Sequence, residues 1–234
     1  MKRKKTSIIA KWKREFADSK TIIARKEKKT QAVHSLVLIK QEPVTFRLSR
    51  FENPDDFDRM LFVIKACARS GDLPYKTVLH IEQTRTGSRL VATDGLRFHV
   101  AEISKKIKSG DYKPYLRKDL ISLGKPLNNI KFPTWAKVIP EKTERRGVIN
   151  LANSGLGKDK KETENLSLAF NSFVKETGEP VNLRYLDDLT KREWTVYCQN
   201  EKRKAIVLKE KSRKPGEPNG KEPMAVILPI PQAA

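Results

Sequence analysis

The most informative stretch of the sequence runs from Gly87 to Ile103 and reads GSRLVATDGLRFHVAEI. Apolar and polar residues alternate on both sides of an Asp-Gly pair, and alternation with a period of two is typical of a half-buried β-strand. Asp94 and Gly95 form a dipeptide that readily adopts the type I′ turn between two antiparallel strands. The stretch therefore predicts a well-specified β-hairpin.

The composition of the chain indicates a soluble protein with a strongly basic surface. Of its 234 residues, 38% are apolar and 33% are charged, and 49 Lys and Arg against 28 Asp and Glu give a formal net charge of +21. A surface with this excess of positive charge attracts polyanions. We expect nucleic acid as the partner, with an anionic membrane surface or an acidic protein as the alternatives.

Neither the apolar runs nor the cysteines indicate a membrane or secreted protein. The longest runs, such as MAVILPI at residues 224–230, are far shorter than the ~20 residues that span a bilayer, and no secretion signal is visible. Cys67 and Cys198 lack the spacing of a metal or disulfide motif, so we expect two reduced core residues. We therefore predict a cytoplasmic, nucleoid-associated protein of cellular or phage origin, with no membrane partner, cofactor or metal.

The N-terminal segment, residues 1–33, differs in composition from the rest of the chain. It contains twelve Lys and Arg, three Asp and Glu, and only a weak amphipathic pattern. Such a segment is too poor in apolar residues to build a core by itself, so we interpret it as a mobile basic arm. A folded region begins near His34, and we assign residues 34–104 to the first half of a fold.

This first half follows the order strand, helix, three strands. VTFRLSRF at 44–51 and KTVLHIEQ at 76–83 alternate as strands, and the hairpin supplies two more. The helix signals lie between them, with Asn53 at the N-cap, Pro54 at the first helical position and Gly71 just past the end.

Residues 105–162 lose this regularity, and we interpret them as an irregular insertion or linker containing one short helix in RKDLISLG at 117–124. Order returns in the second half, residues 163–234. There NLSLAFNSF at 165–173 alternates as a strand, VNLRYLDDLTKRE at 181–193 indicates a short helix, and WTVYCQN, KAIVLKE and MAVILPI are three further strands. The order strand, helix, three strands thus occurs twice.

Three segments of the repeated pattern resemble the bacterial DNA polymerase III β subunit family, the DNA sliding clamps. LVATDGLRFHVAEI at 90–103 is similar to the family's VATDGHRLA hairpin, VNLRYLDDL at 181–189 to its NVxYLLDAL segment, and the final MAVILPI to its closing YVVMPM strand. The resemblance implies an α+β fold, a DNA-clamp-like domain built of two strand-helix-three-strand units with the helices on one face of antiparallel sheets.

The chain also departs from the family pattern. Leu96 replaces the family's His and Phe98 its Leu, and Leu228-Pro229-Ile230 replaces Met-Pro-Met. The sequence has material for one domain with an insertion. Alternatively it forms two abbreviated domains, if FPTWAKVIP at 132–140 corresponds to the family's FPDYRRVLP.

The resemblance implies a processivity factor with two binding surfaces and no catalytic site. One surface holds duplex DNA through phosphate contacts without sequence preference. The other is an apolar groove that docks a short segment of a DNA polymerase or clamp loader. The implied DNA contacts are Arg59, Lys65, Arg69, Lys105, Lys106, Arg184, Lys191 and Arg192, and the implied groove residues are Thr93, Gly95, Leu96, Arg97, Phe98, Val226, Leu228, Pro229 and Ile230.

We expect no enzymatic activity, because no motif has the residues that its chemistry needs. GLGKDK at 155–160 lacks the first Gly and the final Ser or Thr of a phosphate-binding loop, with Ala152 and Asp159 at those positions. An alternative function is a basic nucleic-acid-binding or packaging protein with no polymerase partner. The sequence leaves open whether the assembly is a homo-oligomeric ring or a monomer that holds DNA by charge.

Overall fold

The computed structural model describes residues 44–71, 73–156, 159–189, 192–199, 205–211 and 222–229. The predicted basic arm at 1–33 lies outside the described residues, as do two residues of the predicted binding surfaces, Lys191 and Ile230.

The described chain forms eleven β-strands and three α-helices. In chain order they are β1 (Phe46–Ser49), α1 (Pro54–Ile64), β2 (Leu79–Gln83), β3 (Ser88–Thr93), β4 (Arg97–Ile103), β5 (Gly110–Tyr112), β6 (Pro114–Arg117), β7 (Leu120–Leu123), β8 (Glu144–Asn150), α2 (Lys160–Thr177), α3 (Leu183–Asp187), β9 (Glu193–Cys198), β10 (Ile206–Glu210) and β11 (Met224–Ile227). Two short 3-10 helices, Pro74–Thr77 and Trp135–Val138, lie in the connections.

The strands form two antiparallel sheets. The large sheet has eight strands in the order β5-β2-β3-β4-β11-β10-β9-β8, and the small sheet has three strands in the order β1-β7-β6. The final strand of the chain therefore lies beside the hairpin strand β4, with Val226 opposite Phe98 and Ala225 opposite His99. This single pairing joins the strands of the first half to those of the second.

The helices cover one face of the large sheet, as predicted. His99 of β4 lies on that face, because its Nδ1 donates to the Phe62 carbonyl of α1 at 2.8 Å and its ring stacks on Phe62. Trp194 of β9 lies on the same face, since its ring centroid is 5.4 Å from that of Phe62. α2 packs against β8 and α3, and one apolar core includes residues of both sheets and all three helices.

Helix α1 is shorter than the sequence signals predict. It begins at Pro54, behind Asn53 as the predicted N-cap residue, but it ends at Ile64 with Lys65 as its C-cap. Arg69 and Gly71 therefore lie beyond the helix, and the prediction that Gly71 directly follows its end is wrong. The chain leaves the helix early because its next residues pack beside the connection to β2, where Ala68 N donates to Lys76 O at 2.7 Å.

Residues 165–173 were predicted to form a strand, and this prediction is wrong because they lie within α2. The apolar residues of this stretch alternate along the chain as they would in a strand, although the chain here is helical. The fully buried residues Leu166 and Phe173 are seven positions apart, while Leu168 is 67% exposed. Asp159 caps the helix by accepting a hydrogen bond from Lys161 N, and Gly178 ends it with a left-handed φ of 71°.

Residues 105–162, which we predicted to be irregular, contain the four strands β5 to β8. The short helix predicted at 117–124 is also wrong, since this stretch runs from the end of β6 through a turn at Lys118 and Asp119 into β7. β8 precedes α2 and supplies the first strand of the second unit. The repeated order of strand, helix and three strands is therefore present, with α3 added before β9.

Candidate functional site

The loop of the β3–β4 hairpin is wider than the predicted type I′ turn. Thr93 pairs with Phe98, so residues 94–97 form the loop. A type I′ turn needs positive φ at both central residues, but Gly95 has a φ of 92° and Asp94 is not in that region. The Asp94 carboxylate instead accepts hydrogen bonds from the backbone N–H groups of Leu96 at 2.9 Å and Arg97 at 3.1 Å.

Arg97 is the centre of a buried polar network, although the resemblance implied a groove residue. Its Nε donates to Asp94 Oδ2 at 3.1 Å, its Nη2 donates to the Lys65 carbonyl at 2.8 Å, and its Nη1 donates to Asp188 Oδ2. The guanidinium also lies over the Tyr185 ring, 4.5 Å from the centroid. Arg97 therefore connects the hairpin loop to the end of α1 and to α3.

Burial controls the pKa of the carboxyl group in this network. The pKa of Asp188 is raised above its usual value because burial outweighs the opposing attraction of Arg97. Arg97 therefore favours the charged form of Asp188 against the cost of burying that carboxylate.

The register of β4 and β11 brings the two predicted walls of the groove together. Val226 lies opposite Phe98, and beyond the ladder Leu228 N donates to Leu96 O at 2.9 Å. Leu96 is 55% exposed and Leu228 is 37% exposed. Two large apolar side chains thus lie at the solvent boundary, at adjacent ends of paired strands.

The predicted groove residues differ in accessibility. Thr93, Arg97 and Val226 are buried, Phe98 and Pro229 are half-buried, and Gly95, Leu96 and Leu228 are exposed. The Thr93 hydroxyl accepts from Gly95 N at 2.9 Å and donates to Arg97 O at 2.7 Å, so this side chain shapes the loop from within. The accessible part of the surface is therefore Leu96 and Leu228 with the edges of Phe98 and Pro229.

Two titratable groups at the hairpin, the buried His99 of β4 and the half-buried Cys67, have strongly shifted pKa values. Burial lowers the pKa of His99 from 6.5 to about 3, and burial raises the pKa of the Cys67 thiol to about 12. Both groups are therefore neutral at physiological pH. Cys67 and Cys198 are both free thiols.

The predicted DNA contacts are not equally available to a ligand. Arg192 pairs with Glu210 at 2.5 Å and donates to Asp58 O at 3.2 Å, so it connects β10 to α1. Arg59 donates to Glu102 O at 3.1 Å. The other described candidates are the half-buried Lys65 and the exposed Arg69, Lys105, Lys106 and Arg184.

The described helices carry no excess positive charge. α1 contains three Asp and one Arg, α2 contains three Lys and three Glu, and α3 contains one Arg and one Asp. The predicted contacts on these helices are individual cations, and acidic residues of the same helices offset their charge. The cations that make the chain basic must therefore lie elsewhere.

One such concentration is the lysine-rich segment, residues 105–118. Its six cations, Lys105, Lys106, Lys108, Lys113, Arg117 and Lys118, are all exposed. Its only acidic residue is Asp111, which is 8% exposed and hydrogen-bonded to His80 Nδ1 at 2.7 Å. Our sequence prediction included only the first two lysines, although the charge count alone could have identified the whole segment.

Two open cavities lie away from the groove. One, of about 430 Å³, adjoins the start of α1 and is lined by residues that include Asp55, Arg59 and Thr86. The other, of about 400 Å³, lies between β8 and α2 and includes Asn150 and Leu168 in its lining.

Within the described residues, no group of three or more His, Cys, Asp or Glu side chains could hold a metal ion. No helix in the described parts of the chain is long and apolar enough to cross a membrane.

The fold is similar to that of bacterial DNA sliding clamps. The clamp from Bacillus subtilis matches with a TM-score of 0.51 and 12% identity, over 87% of this chain and 68% of the clamp. The β chain of DNA polymerase III from Streptococcus pneumoniae matches with a TM-score of 0.50 and 13% identity, over 87% and 68%. A Pseudomonas aeruginosa clamp bound to griselimycin matches with a TM-score of 0.51 and 14% identity, over 83% and 68%.

At these identities the likeness concerns the fold, and it confirms the prediction of an α+β, clamp-like architecture. No family model matches the sequence, and no curated protein matches it.

Proposed function

We propose that this protein is a DNA sliding-clamp-like processivity factor. It binds duplex DNA without sequence preference and docks a DNA polymerase, a clamp loader or another replication protein in the groove formed by the β3–β4 loop and the end of β11. This function requires two binding surfaces and no chemical step. The protein acts either as a ring of several copies or as a monomer that holds DNA by charge.

The observation that carries this proposal is the pairing of β11 with β4. The sequence resemblance links two separate segments, 90–103 and 224–230, to one docking site. In the structure Leu228 N donates to Leu96 O at 2.9 Å. A clamp-like fold, with TM-scores of 0.50 to 0.51 to bacterial clamps, supports the same interpretation.

The exposed apolar side chains of this groove suit a short peptide anchored by its own apolar residues. Leu96 and Leu228 are 55% and 37% exposed, so a partner that covers them removes apolar surface from water. Full burial of one Leu or Phe side chain of the partner contributes about 1.5 to 3 kcal/mol. The rigid loop, held by Asp94 and Arg97, keeps Leu96 in position before the partner arrives.

The DNA-binding part of the proposal relies on exposed cations. Among the residues implied by the resemblance, Arg69, Lys105, Lys106 and Arg184 are exposed, and Lys65 is half-buried. We keep these as candidate phosphate contacts and assign Arg192 a structural role, because its guanidinium already pairs with Glu210. The uncommitted cations of the lysine-rich segment add to the same electrostatic attraction.

The docking groove is tested with the substitution Leu228→Ser. The protein, fixed to beads, is used to capture the replicative DNA polymerase of the same source, and the affinity is then measured by titration. We expect Leu228→Ser to weaken capture about tenfold or more, since one apolar anchor is lost. Leu127→Ser is the matched control, because Leu127 is 39% exposed and lies outside the groove.

The same variants are titrated with duplex DNA, where neither should change the affinity. Equal capture of the polymerase by wild type and Leu228→Ser would contradict the groove. If wild type captured no polymerase at all while binding DNA tightly, the alternative of a basic nucleic-acid-binding or packaging protein would replace the clamp proposal. The net charge of +21 favours that alternative as the second candidate.

The proposed phosphate contacts are tested by measuring the affinity for duplex DNA at different salt concentrations. A duplex held by phosphate contacts should lose affinity with a slope of log K against log salt of roughly −0.9 per contact, and two duplexes of unrelated sequence should bind equally. A flat salt response, or strong discrimination between the duplexes, would contradict non-specific binding.

A further inference from the structure

One cation lies beside the docking groove and belongs to neither of the two predicted binding surfaces. Lys76 is the third residue of the short 3-10 helix Pro74–Thr77 and is half-buried. A Cβ atom added at Gly95 would lie 2.9 Å from both Cε and Nζ of this lysine. The ammonium group therefore lies against the β3–β4 loop, at the residue that precedes the exposed Leu96 of the groove.

The position of Lys76 is fixed by its backbone and by the room that two glycines leave. Lys76 N donates to Leu73 O at 3.0 Å, and Lys76 O accepts from Ala68 N at 2.7 Å. Its aliphatic chain passes 4.0 Å from the place of a Cβ at Gly71 and ends at Gly95. Because a Cβ at Gly95 would be too close to the end of the lysine, the missing side chain there gives the ammonium group its place.

The positive charge of Lys76 is not neutralised within the described part of the chain. The two carboxylates at the hairpin loop are both held by Arg97, Asp94 at 3.1 Å by Nε and Asp188 by Nη1. No carboxylate among the described residues forms an ion pair with Lys76. The groove therefore combines two exposed apolar side chains with one cation at its edge that has no described acidic partner.

We propose that the docking groove selects segments in which a carboxylate lies beside an apolar anchor, and that Lys76 is the residue that selects them. The apolar side chains of the segment cover Leu96 and Leu228, and its Asp or Glu accepts a hydrogen bond from the Lys76 ammonium group. A hydrogen bond between charged groups is stronger than one between neutral groups. The inference rests on the docking groove of the proposed function and adds the chemical class of the segment that the groove takes.

The apolar surface beside the cation favours a protein segment over nucleic acid. A DNA phosphate would also pair with an ammonium group, but it would leave Leu96 and Leu228 exposed at 55% and 37%. Phosphate contacts need no apolar surface. An acidic segment without apolar side chains would gain only the ion pair, which contributes at most about fivefold in affinity. A segment with both features uses the whole of the groove.

The experiment adds synthetic octapeptides to the full-length protein and follows the NMR signals of its ¹³C-labelled Leu methyl groups. One peptide has a central Leu-Leu pair with Asp on each side, and two others have Asn or Lys in place of Asp. A fourth keeps both Asp and has Gly-Gly at the centre. We expect the Asp peptide to shift the methyl signals of Leu96 and Leu228 and to bind about fivefold more tightly than the Asn peptide. The Gly-Gly peptide should leave both signals in place.

Two substitutions separate the charge of Lys76 from its packing. Lys76→Met keeps a long side chain without charge, so it should bind the Asp and Asn peptides equally. Lys76→Glu reverses the charge and should prefer the Lys peptide to the Asp peptide, an exchange that a merely structural role would not produce. Thermal unfolding of each variant checks that the fold is intact.

Lys137→Met is the matched control, because Lys137 is the third residue of the other short 3-10 helix, Trp135–Val138. Its backbone makes the equivalent bond, from Lys137 N to Thr134 O at 3.1 Å, and its side chain is exposed. Lys76→Met and Lys137→Met each lower the net charge by one, so a general attraction of acidic peptides to this basic protein would fall equally in both. We expect Lys137→Met to keep the preference of wild type for the Asp peptide.

Four results would overturn the proposal. It fails if wild type binds the Asp and Asn peptides equally, if no peptide shifts the methyl signals of Leu96 and Leu228, or if Lys137→Met loses the preference as Lys76→Met does. It also fails if Lys76→Met weakens binding of duplex DNA more than Lys137→Met, because Lys76 would then be a phosphate contact.

The peptide measurements do not depend on capture of a polymerase, so the two failures are distinguishable. A groove that prefers the Asp peptide in a protein that captures no polymerase would contradict the proposed function and support this inference. Capture of the polymerase without any preference among the peptides would support the proposed function and overturn this inference.

Discussion

Removal of the Arg97 guanidinium should strongly destabilise the fold, because it takes the cation away from a largely buried carboxylate. In Arg97→Ala the carboxylate of Asp188, whose side chain is 21% exposed, loses its ion pair. The Lys65 carbonyl and the Asp94 carboxylate each lose a hydrogen bond as well. Breaking a buried ion pair by removing one partner costs about 3 to 5 kcal/mol. Since Asp188 keeps some contact with water, we expect the lower end, about 3 kcal/mol.

Urea unfolding followed by tryptophan fluorescence measures this effect, because Trp194 is fully buried in the core. A loss of about 3 kcal/mol corresponds to a fall in Tm of roughly 6 to 12 °C in a protein of this size. Arg184→Ala is the matched control, since Arg184 is an exposed arginine of α3, and it should change the stability by less than about 0.5 kcal/mol.

The loss of stability in Arg97→Ala should depend on pH, because it arises from the charged form of the Asp188 carboxyl. Burial already raises the pKa of Asp188, and loss of Arg97 should raise it further above its unfolded value. The cost of the buried carboxylate therefore applies above the folded pKa and disappears as the pH falls below the unfolded one. The deficit of Arg97→Ala should be smaller at pH 4 than at pH 7, and the added change Asp188→Asn should recover part of it. A deficit below about 1 kcal/mol at pH 7 would refute the structural role of Arg97, since the broken pair alone should cost more.

Three further predictions follow from the core and the hairpin. Burial lowers the pKa of His99 from 6.5 to about 3, so the stability should fall as the pH drops from about 6.5 towards 3, by up to ~1.4 kcal/mol per pH unit. His99→Gln should flatten the dependence of Tm on pH, and an unchanged dependence would contradict the neutral, buried His99. Burial raises the pKa of the Cys67 thiol to about 12 and also raises that of Cys198. A thiol-specific chromogenic disulfide reagent should therefore label neither cysteine in the folded protein and both in urea. Rapid labelling of the folded protein would contradict this prediction. Gly95 has a φ of 92°, so Gly95→Ala should cost about 1 to 2 kcal/mol of stability. Gly71→Ala should cost less, because no atom lies closer than 4.0 Å to the added carbon. Equal losses of stability in the two variants would rule out backbone strain at Gly95.

The sequence was informative where local signals and burial agree. Strands β2 to β4 and β9 to β11 have apolar residues on the helix-covered face and clear turn residues at their ends, so their pattern matches their environment. α1 has Pro54 at its start and Asp55 and Asp56 in its first turn, where the helix dipole favours acids.

The sequence was misleading where two periods fit the same residues. Leu166, Leu168 and Phe170 alternate as in a strand, but burial follows the helical spacing from Leu166 to Phe173. The cap residues Asp159 and Gly178 were the decisive signals, and both are visible in the sequence.

The candidate site could be predicted only in part from the sequence. The contact between Leu96 and Leu228 joins residues 132 positions apart, and only the resemblance to a family linked them. The role of Arg97 was not predictable, because it depends on Asp188, which no local pattern connects to the hairpin.

The central claim is that one protein holds DNA and a polymerase together, and the length of DNA synthesised in a single binding event measures this most directly. The replicative polymerase of the same source extends a primed single-stranded template, with excess unlabelled primed DNA as a trap, with or without this protein. The account predicts products several times longer when the protein is present, and no lengthening by Leu228→Ser at the same DNA affinity. Products of unchanged length, under conditions where the protein binds the template tightly, would contradict it.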